Sequence, residues 1–245
     1  MRRRTRRIAW LVALLAVWAL ASYIVVPLIW EEYFRHHAKL TEAARITHTR
    51  DEHPGDPINV TFVGSKEGVV RAMRASGWFP ADPITLETSV RIVVDSVLRR
   101  RDDDAPVSDL FYFGRKQDLA FEQPVGDSPR QRHHVRFWKW DREHNGRAVW
   151  FGAATFDQRV GLSHTTGQIT HHIGPNVDAD RDRLLQEVQQ AGWAHEVYYE
   201  VGFHKAFTGR NGGGDPWHSD GRLGVVILQS PATASPAGTI LPAKP

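Results

Sequence analysis

Five histidines fall within forty residues: His133, His134, His164, His171 and His172, with Asp157, Asp178 and Asp180 near them in the chain. Imidazoles and carboxylates are ligands for zinc, manganese or iron, and they are also the usual general acids and bases. On a strand alternate residues share a face. His133 then goes with Val135 and Phe137, and His134 with Arg136 and Trp138. His171 goes with Ile169 and Ile173, and His172 with Gln168 and Thr170. A candidate catalytic set follows: His134, Asp157, His164 and His172, with Arg136 as an anion clamp. His134, Asp157 and His172 are the candidate ligands for a divalent metal. The alternative is that these histidines satisfy hydrogen bonds at a sheet surface or sit on solvated loops. No H-E-x-x-H or G-x-S-x-G motif is present, so the chain carries neither zincin spacing nor a nucleophile elbow.

A second candidate is the run Gly209-Arg210-Asn211-Gly212-Gly213-Gly214-Asp215. Consecutive glycines let backbone N–H groups converge on an anion. Lys205, Arg210, Gly212, Gly213 and Gly214 are therefore candidate ligand-binding residues. No Lys-Ser/Thr follows, so this is not a P-loop, and a flexible connection between strands is the competing reading. Trp138, Trp140, Trp150, Phe137 and Phe151 could stack sugars or bases, but aromatics favour strands and read better as core.

The elements that must hold these residues come next. Ile58 to Val63 alternates as a strand, and Ser65 caps a helix with Val69, Val70 and Met73 on one face, ended by Gly77-Trp78. Asp82-Pro83 opens a second helix with an apolar stripe of Leu86, Val90, Val93, Val94 and Val97. Short runs flank Gly114. The long runs 132–140 and 147–157 are joined through Asn145-Gly146, a favoured hairpin turn. Residues 168–173 form a further strand, Asp178 caps a third helix that ends in Gly192-Trp193, and strands at 197–203 and 223–228 follow. Grouped strands with helices set apart indicate an α+β fold: a mainly antiparallel sheet with about three helices packed on it.

Ahead of this lies an uncharged stretch, residues 8–30, after five arginines in residues 1–7. At ~1.5 Å per residue it is long enough for a bilayer core of about 30 Å. The arginines before it and Glu31-Glu32 after it place the N-terminus in the cytoplasm and the remainder outside the inner membrane. Cleavage after Ala21 is the competing reading, since Ala19-Leu20-Ala21 is small-x-small, but the apolar run continues to Trp30. Residues 31–56 read as a juxtamembrane linker whose histidines, His36, His37, His48 and His53, are solvated. Residues 57–229 read as the folded domain and 230–245 as a disordered tail.

Composition narrows the function classes. Lys and Arg number 31 against 28 Asp and Glu, a net +3, and without the five N-terminal arginines 26 stand against 28. A nearly neutral body argues against a nucleic-acid partner. The absence of cysteine excludes disulfides, iron–sulfur clusters and a thiol nucleophile.

Several blocks together resemble one family, the LssY-like C-terminal domain. They are Phe-Gly-Arg-Lys-Gln-Asp-Leu at 113–119, Arg-His-His-Val-Arg-Phe-Trp at 132–138, Phe-Gly-Ala-Ala-Thr-Phe-Asp at 151–157, Gly-Leu-Ser-His at 161–164, Thr-Gly-Gln-Ile-Thr-His-His-Ile at 166–173, Asp178 to Asp182, and the glycine-rich run. The resemblance implies a domain found appended to bacterial membrane proteins, some with DedA-type or lipid-phosphatase regions. The Pro-Ser-Gly-His block of those phosphatases is absent, so their activity does not carry over. Three expectations follow. The first is a single-pass inner-membrane protein whose exported, periplasmic or otherwise extracytoplasmic domain is an accessory binding module for a phosphorylated or lipid-derived ligand. The second is a metal-dependent hydrolase of a phosphate-containing envelope substrate. The third is a structural partner of another membrane protein. Whether the chain is an enzyme stays open, and its one defined partner is the bilayer, through residues 8–30.

Overall fold

The computed structural model describes residues 2–37, 45–81, 109–126 and 131–229. The helix expected from Asp82 and the tail from residue 230 lie outside the described residues.

The N-terminal helix has three parts: α1 (Arg2–Leu20), a π-turn (Ala21–Val25) and α2 (Val26–His37). Its stretch Thr5–Trp30 is long and apolar enough to cross a membrane. The π-turn has a local cause. The Val26 N–H bonds to the Ala21 carbonyl, and Pro27 has no N–H, so the Ser22 carbonyl lacks a backbone donor from either residue. The Gln168 side chain supplies one, donating to Ser22 O at 2.7 Å. Trp18 Nε1 donates to Gly167 O (3.1 Å), and the Ile169 N–H donates to the Tyr23 hydroxyl (3.2 Å). Trp30 lies against the His53 ring, centroids 5.1 Å apart. The helix is thus fastened along the domain.

The main sheet takes β3 (Val60–Val63), β4 (Phe79–Pro80), β7 (Leu119–Pro124), β8 (Arg132–His144), β9 (Arg147–Leu162), β10 (Ile169–Ile173), β11 (Ala194–Glu200) and β14 (Leu223–Leu228). Their order is β11-β14-β3-β9-β8-β7-β4, with β10 also on β9. Every pairing is antiparallel except β14 with β3. A smaller sheet holds β1 (Ile46–His48), β2 (Pro54–Pro57), β5 (Phe111–Tyr112) and β6 (Arg115–Lys116). A ribbon, β12 (Thr208–Arg210) with β13 (Pro216–His218), carries the glycine-rich loop between its strands. The fold is α+β, as the element pattern requires.

Two described helices pack on the sheet. Helix α3 (Lys66–Ala75) is capped as expected, with Ser65 Oγ accepting from the Gly68 N–H at 3.0 Å. Helix α4 (Val177–Gln190) is capped by Asn176, not Asp178: Asn176 Oδ1 accepts from the Ala179 N–H. Asp178 instead accepts from Arg181, Ser219 and the Asp220 N–H. Arg181 is fully buried and also pairs with Asp182 and Asp220, which accounts for the dense charge of 178–182. Both helices end alike. Gly77 and Gly192 take φ of +80° and +74°, and the following Trp N–H reaches back to Met73 O or Val188 O.

Each face of the sheet is covered. On the helix side Phe62, Val135, Phe137 and Trp150 pack against Val69, Met73, Leu184 and Val188. On the other, Ile58, Trp138, Ala153 and Val225 pack with Leu110 and Phe203. The aromatic residues that could have made a stacking platform are mostly core: Phe137, Trp138 and Trp150 are buried. The stretch read as a linker contains two strands, and His53 is buried at 5% exposure rather than solvated. Pro54-Gly55-Asp56-Pro57 has a turn's composition, and only its pairing with β1 makes it a strand.

Asn59 joins three elements in the interior. Its Nδ2 donates to Ala154 O (2.8 Å) and Val177 O (2.9 Å), and its Oδ1 accepts from the Ala154 N–H (2.8 Å). Asn59→Ala would strand these groups and lower stability by about 3 kcal/mol, read as a lower urea midpoint. A loss under ~1 kcal/mol would show that water replaces the side chain.

Candidate functional site

The site grows from one strand. Arg132, His134 and Arg136 alternate on β8, so all three project from the same face. All are buried, at 3–4% exposure. A buried charge needs a partner, and three other strands supply carboxylates. Arg132 Nη1 donates to Glu122 Oε2 of β7 (2.9 Å), and its Nε donates to Asp157 Oδ2 of β9 (3.2 Å). Arg136 Nη1 donates to Asp56 Oδ2 of β2 (3.0 Å). The His134 ring lies between, with Nδ1 3.3 Å from Asp157 Oδ2 and Nε2 3.7 Å from Asp56 Oδ2. Thr155 Oγ1 is 2.7 Å from His134 Nε2. From β10, His171 Nε2 lies 3.4 Å from Arg132 Nη2.

This network forms one side of a cavity of about 310 Å³. Its walls include Thr49, Arg50, Asp56, Arg132, His134, Arg136, Asp157 and His171. Gln168, Ile169 and Thr170 add the β10 wall, and Asn211, Gly212 and Gly213 bring the glycine-rich loop over it.

Two N–H groups of the loop are engaged within the protein. The Gly212 N–H donates to Pro54 O and the Gly214 N–H to Asn211 O, while Arg210 Nη1 donates to Gly214 O. Those donors close the loop on itself and on β2. Lys205 stands exposed outside the cavity lining. Asp215 anchors the loop to β10: its Oδ1 is 2.6 Å from His172 Nδ1, and its Oδ2 accepts from the Ile173 N–H.

The expected residues therefore divide. His134, Arg136 and Asp157 come together in the cavity. His172, on the other side of β10, joins Asp215 and His164, whose Nε2 is 4.0 Å from Asp215 Oδ1. Among the described residues, His164, His172 and Asp215 are the one His/Asp/Glu group with three ligand atoms all within 4.8 Å of one another. The proposed metal trio of His134, Asp157 and His172 is not gathered round one point. Two cavity residues, Asp56 and His171, and Glu122 behind Arg132 lie outside the candidate set read from sequence. The alternation of Arg132, His134 and Arg136 signals that carboxylates must face them, but not which ones.

Electrostatics follow from the burial. Burial works against charge on His134, but Asp157, by charge and hydrogen bond, and Asp56 outweigh it and raise the ring's pKa. Burial also opposes the Asp157 carboxylate, yet His134, His171 and Arg132 hold it far below the usual carboxylate range. For His171 burial wins, helped by the charges of Arg132, His134 and Arg136, and the pKa falls to about 4.

The signs give a pH dependence. A His134 pKa above its unfolded value adds stability below about pH 6.5 that is lost as pH rises through the folded value. A depressed Asp157 adds stability above about pH 3.9 that is lost on acidification through its folded value. A depressed His171 acts against His134 and in the same sense as Asp157: the unfolded chain takes its proton first, so stability falls as pH drops from about 6.5 to about 4. His171→Gln is therefore expected to flatten this part of the acid limb. Urea midpoints at pH 7, 5.5 and 4 check it, and a variant that tracks the wild type throughout would refute the His171 assignment.

With this geometry in view, the comparisons are direct. A family model described as "LssY C-terminus" matches residues 39–223. The match begins ahead of Asp56 and takes in β1 and β2, so the strand that closes the cavity is part of it. No curated protein and no solved structure matches the chain. The matched stretch carries every strand of the cavity, and the chain belongs to the LssY C-terminus family.

Proposed function

We propose that the chain is a single-pass membrane protein whose exported domain is an accessory binding module for a small phosphorylated ligand, held in the β8 cavity. The carrying observation is the row Arg132, His134, Arg136: two guanidinium groups with an imidazole between them on one strand, facing one cavity. Guanidinium groups match phosphate oxygens in a planar fork. Asp56, Glu122 and Asp157 neutralise the row inside the protein, so the site stays folded when empty. A balanced site favours a ligand with little net charge, such as a phosphodiester bearing hydroxyl groups. The orientation rests on the five arginines at the N-terminus.

Thr170 is half-buried in the β10 wall and outside the charge network, so Thr170→Phe fills the cavity without breaking an ion pair. Calorimetric titration of the detergent-solubilised full chain with glycerophosphoglycerol should give saturable binding. Thr170→Phe should weaken it about tenfold, ~1.4 kcal/mol. No heat from this probe, inorganic phosphate or glycerol 3-phosphate, or equal affinity in the variant, would refute the reading.

The metal-dependent hydrolase is a second reading, favoured by the His164, His172 and Asp215 group rather than the trio read from sequence. Imidazole and carboxylate donors suit zinc or manganese. His164 is exposed on a turn, so His164→Ala leaves the fold intact. Elemental analysis of the untagged full chain should find near-stoichiometric metal that is lost in this variant. Metal-free protein that does not take up zinc or manganese would dismiss it.

A further inference from the structure

The cavity shares a wall with the membrane helix. Gln168 and Ile169 line the cavity and also hydrogen-bond to the helix, at Ser22 and Tyr23. Gly167, next to them in the chain, accepts the Trp18 bond. The contacts sit well inside the apolar stretch Thr5–Trp30. At ~1.5 Å per residue, a hydrocarbon core of about 30 Å entered at Ile8 is left near Pro27. Tyr23 then lies roughly 6 Å below that surface and Trp18 roughly 14 Å below it. Whatever binds these residues goes down with them.

The β9–β10 turn is built for that depth. From Gly161 to Thr170 it carries no Asp, Glu, Lys or Arg. Leu162 and Ile169 present aliphatic side chains outward, at 56% and 39% exposure. Several of its backbone N–H groups are paired within the domain, while the His164 ring is exposed. The Ser163 N–H donates to Gln168 O, and the Gly167 N–H to Ser163 O. Ser163 Oγ accepts from the Thr165 and Thr166 N–H groups, and Thr165 Oγ1 donates to Gly212 O. Irregular backbone is tolerated at membrane depth where protein buries it or it lines a water-filled cavity, and this turn is covered by the helix on one side and by the glycine-rich loop on another.

We infer that this turn dips into the bilayer leaflet on the domain's side, so that the cavity meets the headgroup layer and its ligand is the phosphodiester headgroup of a membrane phospholipid. The inference rests on the phosphate-binding reading above and adds the source of the phosphate. The lipid's acyl chains would stay in the leaflet beside Leu162 and Ile169, and its headgroup would enter between the β10 wall and β2.

The chain has no cysteine, so a single introduced one can be labelled cleanly. Leu162→Cys and, at the far end of β9, Asn145→Cys are labelled with a fluorophore in full-length protein in nanodiscs. The discs contain phosphatidylcholine with a nitroxide high on the acyl chain. The label at 162 should be quenched and the one at 145 should not. In parallel, native mass spectrometry of the full chain follows retention of phosphatidylglycerol against glycerophosphoglycerol. The lipid should be held more tightly, and Thr170→Phe should lose it about tenfold. An unquenched label at 162, or binding of the soluble diester with no preference for the lipid, would overturn the inference and leave the phosphate-binding reading intact. Binding of neither compound would remove both.

Discussion

Strand β8 places two guanidinium groups and an imidazole in the interior, and the domain is arranged to neutralise them. A buried guanidinium without a carboxylate costs more than a domain's spare stability. Glu122 arrives by pairing β7 beside β8, Asp157 by pairing β9 on its other edge. Asp56 arrives on β2, a strand of the second sheet. The ion pairs therefore hold the small sheet and the large one in register around a polar space. They leave a cavity because charged groups cannot close-pack as Leu and Val do on the opposite face.

Much of this was legible in sequence, for physical reasons. A period of two separated His133 from His134, and the structure keeps them apart: His133 Nδ1 lies 2.6 Å from Asp180 on the helix side, while His134 enters the cavity. Ser65, Gly77 and Asn145-Gly146 were readable because a cap or a left-handed turn is decided by a few local residues. What was not readable depends on long-range pairing. Asp56 is some eighty residues from Arg136 and sits in a proline- and glycine-rich stretch that reads as a loop. His171 and His172 face opposite sides of β10 as the period of two requires, but that one meets Arg132 and the other Asp215 is decided by distant segments. In the glycine-rich run, the bonds of the Gly212 and Gly214 N–H groups to Pro54 and Asn211 likewise follow from the folded chain.

The two histidine groups have different chemistry because of where β10 runs. Its one side meets the Arg132 network, where burial keeps His171 neutral at physiological pH. Its other side meets Asp215, which fixes the His172 ring and pins the loop over the cavity. The same strand β10 also carries Ile169, which with Gln168 contacts the helix.

The π-turn at Ala21–Val25 sets the phase of everything before it. It holds one residue more than an α-helical turn of the same contacts would, and each residue turns a helix by about 100°. Loss of a single residue there would restore α-helical bonding and rotate the Trp18 side through that angle, away from Gly167, with the span still long enough for a bilayer. Hydropathy alone would not register the change. Length variation in this segment among relatives is therefore a record of whether the helix is keyed to the domain or only tethers it.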